Sequence, residues 1–209
     1  MRHLTVRLHH RLVVTALALV LGACSPSHEE RADAPYPEPV QSAVARDIGA
    51  IVLTEQYWLV PVAHFEVDAL VRGTERYRFD SLAEVSPVDL ALAWGPLADP
   101  LVTLAVSISQ SGRWFYWQTR DDVLYRKLGR KAFIESMANM HIIPADGAIR
   151  DQVLAIKKGQ AIRARGLLVD VQHQDFRLNR RTSRTRSDSG AGGCEIFYVT
   201  ELEVFETPG

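Results

Sequence analysis

From His64 to Val71 the chain alternates, with Phe65, Val67, Ala69 and Val71 on one side and His64, Glu66, Asp68 and Leu70 on the other. A repeat of two places every second side chain on one face of an extended strand, so this stretch specifies a sheet with one face on a core. Tyr57–Val60 leads into it, and a Gly73-Thr74 turn is expected to open a second short strand at Tyr77–Phe79. Ser86-Pro87-Val88-Asp89 has the form of a capped helix start, so a helix is expected from there to Trp94, stopped by Gly95-Pro96. Leu104, Val106 and Ile108 alternate again, and Gln110-Ser111-Gly112 turns them into Arg113-Trp114-Phe115-Tyr116-Trp117 as a hairpin. The polar segment Asp121–Ala132 reads as a loop, and Phe133–Ile143 is apolar with no clear period.

The second half of the chain is more regular. Asp146 caps a helix with Ile149, Val153 and Ile156 on one stripe, ended by Gly159. Ile162, Ala164 and Gly166 then alternate with Arg163 and Arg165, and the parity changes to Leu167, Val169 and Val171, which predicts a bulge at the glycine. A turn at His173-Gln174-Asp175, a strand through Phe176 and Leu178, a Ser183–Gly193 loop and a final strand Glu195–Phe205 complete a meander. The run Lys157–Gly166 resembles the entry to a barrel strand in OB-type folds, a likeness of fold that carries no function. The expected class is α+β and β-rich, an antiparallel sheet or partly open OB-like barrel with two short helices, in one domain over residues 49–209.

Ahead of that domain, Arg2, Arg7 and Arg11 precede an apolar run, Leu12–Leu21, about half the length that crosses a bilayer as a helix. Leu21-Gly22-Ala23-Cys24 resembles the lipobox of bacterial lipoproteins. The resemblance implies a signal peptide over residues 1–23, lipid attachment at Cys24, and a membrane partner reached through acyl chains rather than a spanning helix. Ser25 after the cysteine favours the outer membrane, facing the periplasm. Residues 24–48 hold Pro26, Pro35, Pro37 and Pro39 among charges and read as a flexible tether.

The charge balance bounds the partners. The chain has 24 Lys+Arg and 25 Asp+Glu, and loss of the three arginines ahead of Cys24 leaves 21 against 25. A mildly acidic protein has no generic pull on nucleic acid, and no nucleic-acid partner is predicted. With Cys24 lipidated, Cys194 stands alone, so no internal disulfide is expected and the apolar core must hold the fold. Three further pieces resemble an uncharacterised group of bacterial secreted proteins: Ser86–Gly95, Ala138–Ala145 and Gly190–Glu195. That resemblance implies one shared domain and no activity.

Candidate sites are few. Cys194 is a possible nucleophile activated by His141, with Asn139 or Asp146 orienting the ring. Against this, Cys194, Ile196, Tyr198, Leu202 and Val204 share one apolar face of the last strand, which predicts a buried and inert thiol. Arg163, Arg165, Arg177 and Arg181 are expected on the outer face of one hairpin, open to a polyanionic glycan unless Glu195, Glu201 and Glu203 neutralise them. Trp114 and Trp117 offer rings for stacking. His64, His141 and His173 have no metal-ligand spacing, and no metal or cofactor is predicted. The sequence alone therefore favours a lipid-anchored envelope protein that binds a ligand or an envelope partner without covalent chemistry. A Cys/His hydrolase or transferase and a polyanion-binding module are the alternatives.

Overall fold

A computed structural model describes residues 36–186 and 194–206. Cys24, residues 1–23 that read as a signal peptide, and most of the loop expected after Ser183 lie outside them. The sheet is built around β3 (Tyr57–Arg76), whose apolar alternation runs into the core as its sequence requires, with Phe65, Val67, Ala69 and Val71 all buried. β4 (Val88–Ala93), β7 (Met137–Pro144), β9 (Glu195–Phe205) and β8 (Ala161–His173) follow it side by side, and β8 pairs back onto β3. The result is a partly closed, uneven ring of five strands, antiparallel except where β7 runs parallel to β9. The fold is thus α+β and β-rich, with the OB-like ring that the sequence suggested.

Inside the ring, Phe65, Leu90, Leu92, Met140, Ile142, Leu168 and Phe197 pack together, all at most 2 % exposed. Each such side chain contributes about 1.5–3 kcal/mol of burial. α3 (Gly147–Ala155) closes one end of the ring: Asp146 accepts from the Ile149 N–H at 2.9 Å, and Ile149, Val153 and Ile156 join the core. The expected bulge is a register shift between β8 and β9 beside Gly166, which lies against the Tyr198 backbone, but the extra residue is Thr200 on β9. β8 keeps its parity, with Ile162, Ala164 and Leu168 in the main core and Leu167, Val169 and Val171 on the other face.

Several expectations are corrected. Ser86–Trp94 is not a helix, because β4 is buried on both faces and its run of apolar residues hides the period of two. Gly73-Thr74 is not a turn; β3 continues to Arg76 with a register shift against β4 at that point, and Tyr77–Phe79 is not a strand. Asp121–Ala132 is not a loop: Asp121 accepts from the Leu124 N–H at 2.8 Å and caps α2 (Asp122–Glu135). Phe176–Leu178 is a 3-10 turn rather than a strand, so β8 and β9 pair directly without a middle strand. Part of the expected tether is ordered too. β1 (Val40–Ala43) pairs with β3 and Tyr36 packs on the core; within the expected domain, the two-residue β2 (Ile51–Val52) pairs with β3 as well.

Between β4 and β7 the chain makes a small layer of its own: α1 (Pro100–Ala105), the hairpin β5 (Val106–Ser111) and β6 (Trp114–Thr119), then α2. Its core is Leu97, Val102, Val106 and Phe133, with Trp117 stacked on Phe133 at 4.8 Å between centroids. Buried Arg72 of β3 ties this layer to the ring by donating to the carbonyls of Leu97 (3.2 Å), Thr103 (2.9 Å) and Val106 (2.7 Å). Burial without a carboxylate partner pulls its guanidinium below the ordinary value. These contacts aim the hairpin tip at the outer face of β4 and β7.

Candidate functional site

Asp89 and His141 sit directly opposite each other on β4 and β7, and His141 is in turn paired with Ile196 on β9. Cys194 immediately precedes β9, so carboxylate, imidazole and thiol come from three neighbouring strands on the side away from the main core. A period of two accounts for this placement. Leu90, Met140 and Phe197 point into the ring, while their neighbours Asp89, His141 and Ile196 point out.

The hairpin tip supplies a fourth group. Gly112 and Arg113 form its two-residue turn with φ of 59° and 71°, the left-handed pair that a tight hairpin needs. Arg113 lies with its guanidinium 3.7 Å from the Tyr77 ring centre, and its N–H donates to the Tyr77 hydroxyl at 2.8 Å. It donates to Asp89 Oδ1 at 2.7 Å, to both Asp80 carboxylate oxygens at 2.9 Å, and to the Ser86 carbonyl at 2.8 Å. Asn139 donates to Asp89 Oδ2 at 3.2 Å and accepts from Gln110 Nε2 at 2.7 Å. These partners satisfy the oxygens of a carboxylate side chain that is 0 % exposed.

His141 Nδ1 lies 2.9 Å from Asp89 Oδ1, but its N–H does not point along that line, so the contact is Coulombic rather than a well-formed hydrogen bond. Burial alone would lower the imidazole, yet the Asp89 carboxylate and the neighbouring Cys194 side chain outweigh it and raise the ring to about 9. The ring is therefore a cation at neutral pH. For Asp80, burial pushes upward, and the Arg113 guanidinium with the Leu82 and Ala83 N–H groups reverses it, leaving the carboxyl below its usual range. Burial, first of several causes, pushes the Tyr77 phenol up to about 12, so it stays neutral.

Cys194 is half-buried, and its Sγ lies 3.8 Å from the Arg113 carbonyl. It lines a cleft of about 430 Å³ together with His141, Trp114, Arg180, Arg181 and Ile196. The expectation of a buried thiol is corrected. Cys194, Ile196 and Tyr198 do share a face, but it is the outer one, while Phe197 and Val199 fill the ring. The register shift beside Gly166 then flips the parity, so Leu202 packs on the main core instead of following Tyr198.

The other predicted residues separate. Arg163 pairs with Asp68 (2.9 Å) and Glu203 (3.7 Å), and Arg165 with Glu66 (3.3 Å) and Glu201 (3.2 Å). Arg177 lies on the 3-10 turn and pairs with Asp175 at 3.1 Å, so the four arginines do not share one hairpin face. Glu195 is buried, not on that outer face. Arg181 belongs to the cleft, as does Trp114, which is 43 % exposed, whereas Trp117 is packing for α2. Asp146 caps α3, and Asn139 reaches Asp89 rather than the ring. His64 lines a separate groove beside Arg165, and His173 packs edge-on to Tyr57. Among the described residues no group of three His, Cys, Asp or Glu is placed to hold a metal ion.

Sequence reasoning missed Asp89, Arg113 and Asp80. The readable signal was Asp89 itself, a lone charge inside the apolar run Val88–Ala93, which demands a buried partner once that run is a strand. No family model, no curated protein and no solved structure matches this chain.

Proposed function

We propose that the chain is a thiol-dependent hydrolase or acyltransferase in which Cys194 is the nucleophile, His141 the proton carrier and Asp89 the residue that positions and charges the ring. The observation that carries the reading is that Asp89 and His141 are register partners on β4 and β7, while Cys194, immediately before β9, lines an open cleft together with His141. The His141 ring beside the sulfur is the group that would hold the thiol's proton during attack. The sulfur would attack an acyl carbon, and the imidazolium would hand its proton to the departing amine or alcohol, leaving a thioester. The imidazole, now neutral, would take a proton from water as that water attacks the thioester, which releases the acid and restores thiolate and imidazolium.

Arg113 supports the same chemistry at one remove. Its bonds to Asp80 and Asp89 fix the carboxylate that holds the ring. A burst of one equivalent of nitrophenolate from p-nitrophenyl acetate, with acetyl found on the Cys194 peptide and absent after Cys194→Ala, is the expected result. Absence of acetyl on Cys194 in the intact chain sinks the proposal. Binding without chemistry draws on the exposed Trp114 and Arg181 in the cleft, and predicts a ligand held equally well by the Cys194→Ala chain.

We place this activity in the cell envelope, on a protein anchored through Cys24 and facing the periplasm, on the strength of the lipobox-like Leu21–Cys24 alone. The partner is then the membrane, with an envelope glycan or protein as the acyl source. Incorporation of labelled palmitate that disappears in Cys24→Ala tests the anchor; equal labelling of both chains removes it.

A further inference from the structure

Within the cleft, charge is distributed unevenly. Asp80 and, beneath the cleft wall, Asp89 are matched by Arg113 and the His141 imidazolium in one network of ion-pair contacts. Arg180 and Arg181 line the same cleft as two further cations, both with exposed side chains. Neither takes part in an ion pair among the described residues, in contrast to Arg163, Arg165, Arg177 and Arg184. The Arg180 side chain donates only to the nearby carbonyls of Arg177 and Asn179, at 3.3 and 2.9 Å.

Their position is fixed by the backbone rather than by chance. Arg180 exchanges hydrogen bonds with Val171 of β8 at 2.9 Å each way. Thr182 N–H donates to buried Asp170 at 3.1 Å, its hydroxyl accepts from the Ile196 N–H at 3.0 Å, and the Ser183 N–H donates to the Cys194 carbonyl at 3.0 Å. The segment that carries the two arginines is therefore laced to the start of β9, beside the thiol. Trp114 forms another wall with its ring partly exposed, and Leu82 and Ile196 supply apolar surface.

We propose that the cleft recognises substrates bearing an anionic group, carboxylate or phosphate, next to the acyl carbon that Cys194 attacks, with Arg180 and Arg181 as the anion clamp and Trp114 as the packing surface. This rests on the reading of Cys194 as a nucleophile and adds the class of substrate. Guanidinium pairs match both anions in planar, bidentate fashion, and in a partly closed cleft they act at lower effective dielectric than at an open surface.

Two alkylating reagents of almost equal size separate the two claims. Iodoacetate carries the charge and iodoacetamide does not; in each case a bond forms from sulfur to the methylene carbon and iodide leaves. The rate at the Cys194 peptide is read for both, and the quantity of interest is the ratio of iodoacetate to iodoacetamide. It is expected to exceed the ratio for glutathione and to fall about tenfold in Arg180→Gln/Arg181→Gln, the scale expected of two cations within a few ångströms of a carboxylate. Arg181→Gln alone, whose side chain makes no bond among the described residues, should give part of that fall in a chain with an unaltered melting curve.

An equal ratio in the intact chain and the double variant overturns the clamp and leaves the nucleophile standing. A Cys194 that reacts with both reagents no faster than glutathione overturns the nucleophile reading and, with it, this one. Competition assigns the anion: inorganic phosphate slowing the iodoacetate reaction more than acetate does marks a phosphate-bearing substrate, and the reverse a carboxylate-bearing one. Failure of both to slow it also counts against the clamp.

Discussion

Two arginine clusters sit on the same ring of strands and behave in opposite ways. On β8, Arg163 and Arg165 each reach a carboxylate on β3 and another on β9, with side chains 30 % and 37 % exposed. At the hairpin tip, Arg113 reaches Asp80 and the wholly buried Asp89, and the second of these touches an imidazole beside a thiol. The first cluster fastens three strands across their solvent side. The second has the same kind of pair, but away from water the charges are held in fixed positions where a reactive group can use them. Burial, rather than the identity of the charged residues, separates a fastener from a site.

The largest difference should appear on removing one partner from each cluster. Arg113→Ala leaves the Asp89 carboxylate without its guanidinium inside the protein, and a buried pair broken in that way costs about 3–5 kcal/mol. Urea denaturation should show the midpoint falling steeply. A loss below about 1 kcal/mol would mean that the network is no tighter than the exposed ladder.

A backbone change tests whether the ladder depends on strand geometry more than on charge. A Cβ at Gly166 would run into the Tyr198 carbonyl and come within 3.2 Å of the Thr200 nitrogen, where β8 and β9 change register. Gly166→Ala should therefore destabilise by about 1–3 kcal/mol, as overpacking does, although no ion pair is touched. Thermal melting at high salt checks it. A loss that disappears when salt screens the arginines would put charge ahead of backbone.

Acidity sharpens the contrast next. Folding raises the His141 imidazole from 6.5 to about 9, so the folded chain holds its proton more tightly than the unfolded one. The stabilisation is complete below pH 6.5 and is lost as pH rises through about 9. Urea midpoints measured across that window should decline in the intact chain and stay nearly level in His141→Gln. Equal slopes in the two chains would assign the decline to other groups.

Much of this architecture could be read from the chain because its signals are local. The alternation through Phe65–Val71 and the Asp146 cap with its stripe of Ile149, Val153 and Ile156 turned out as the spacing requires. A register shift does lie beside Gly166, although its extra residue is on β9 and β8 keeps its parity. Val88–Ala93 could not be read so, since a strand buried on both faces has no alternation, and Ser86-Pro87 happens to look like a helix start. The site suffered from the same error. With β4 taken as a helix, Asp89 reads as closing a capping box behind Ser86, and the carboxylate that faces His141 on the neighbouring strand is lost. Cys194 stands out as a lone thiol after a glycine-rich loop, with His141 as a ring that could activate it, whereas Arg113 reaches this site only through a hairpin folded from another layer. Local spacing carries no trace of such a contact.

The smallest effect closes the comparison from the other side. Arg165→Ala removes two ion pairs at once, more bonds to carboxylates than many buried arginines make, and a count of interactions would rank it near Arg113→Ala. Its side chain is 37 % exposed and its partner Glu201 65 %, so water already solvates the charges that the substitution would free. Each exposed pair contributes roughly 0.2–1 kcal/mol, and that share shrinks with added salt. A shift of the urea midpoint equivalent to under about 1 kcal/mol is expected, and it should be smaller still in 1 M salt. If Arg165→Ala instead matched Arg113→Ala, exposure would not be what divides the clusters. The site at Asp89 would then have to owe its properties to the company of His141 and Cys194 rather than to its depth.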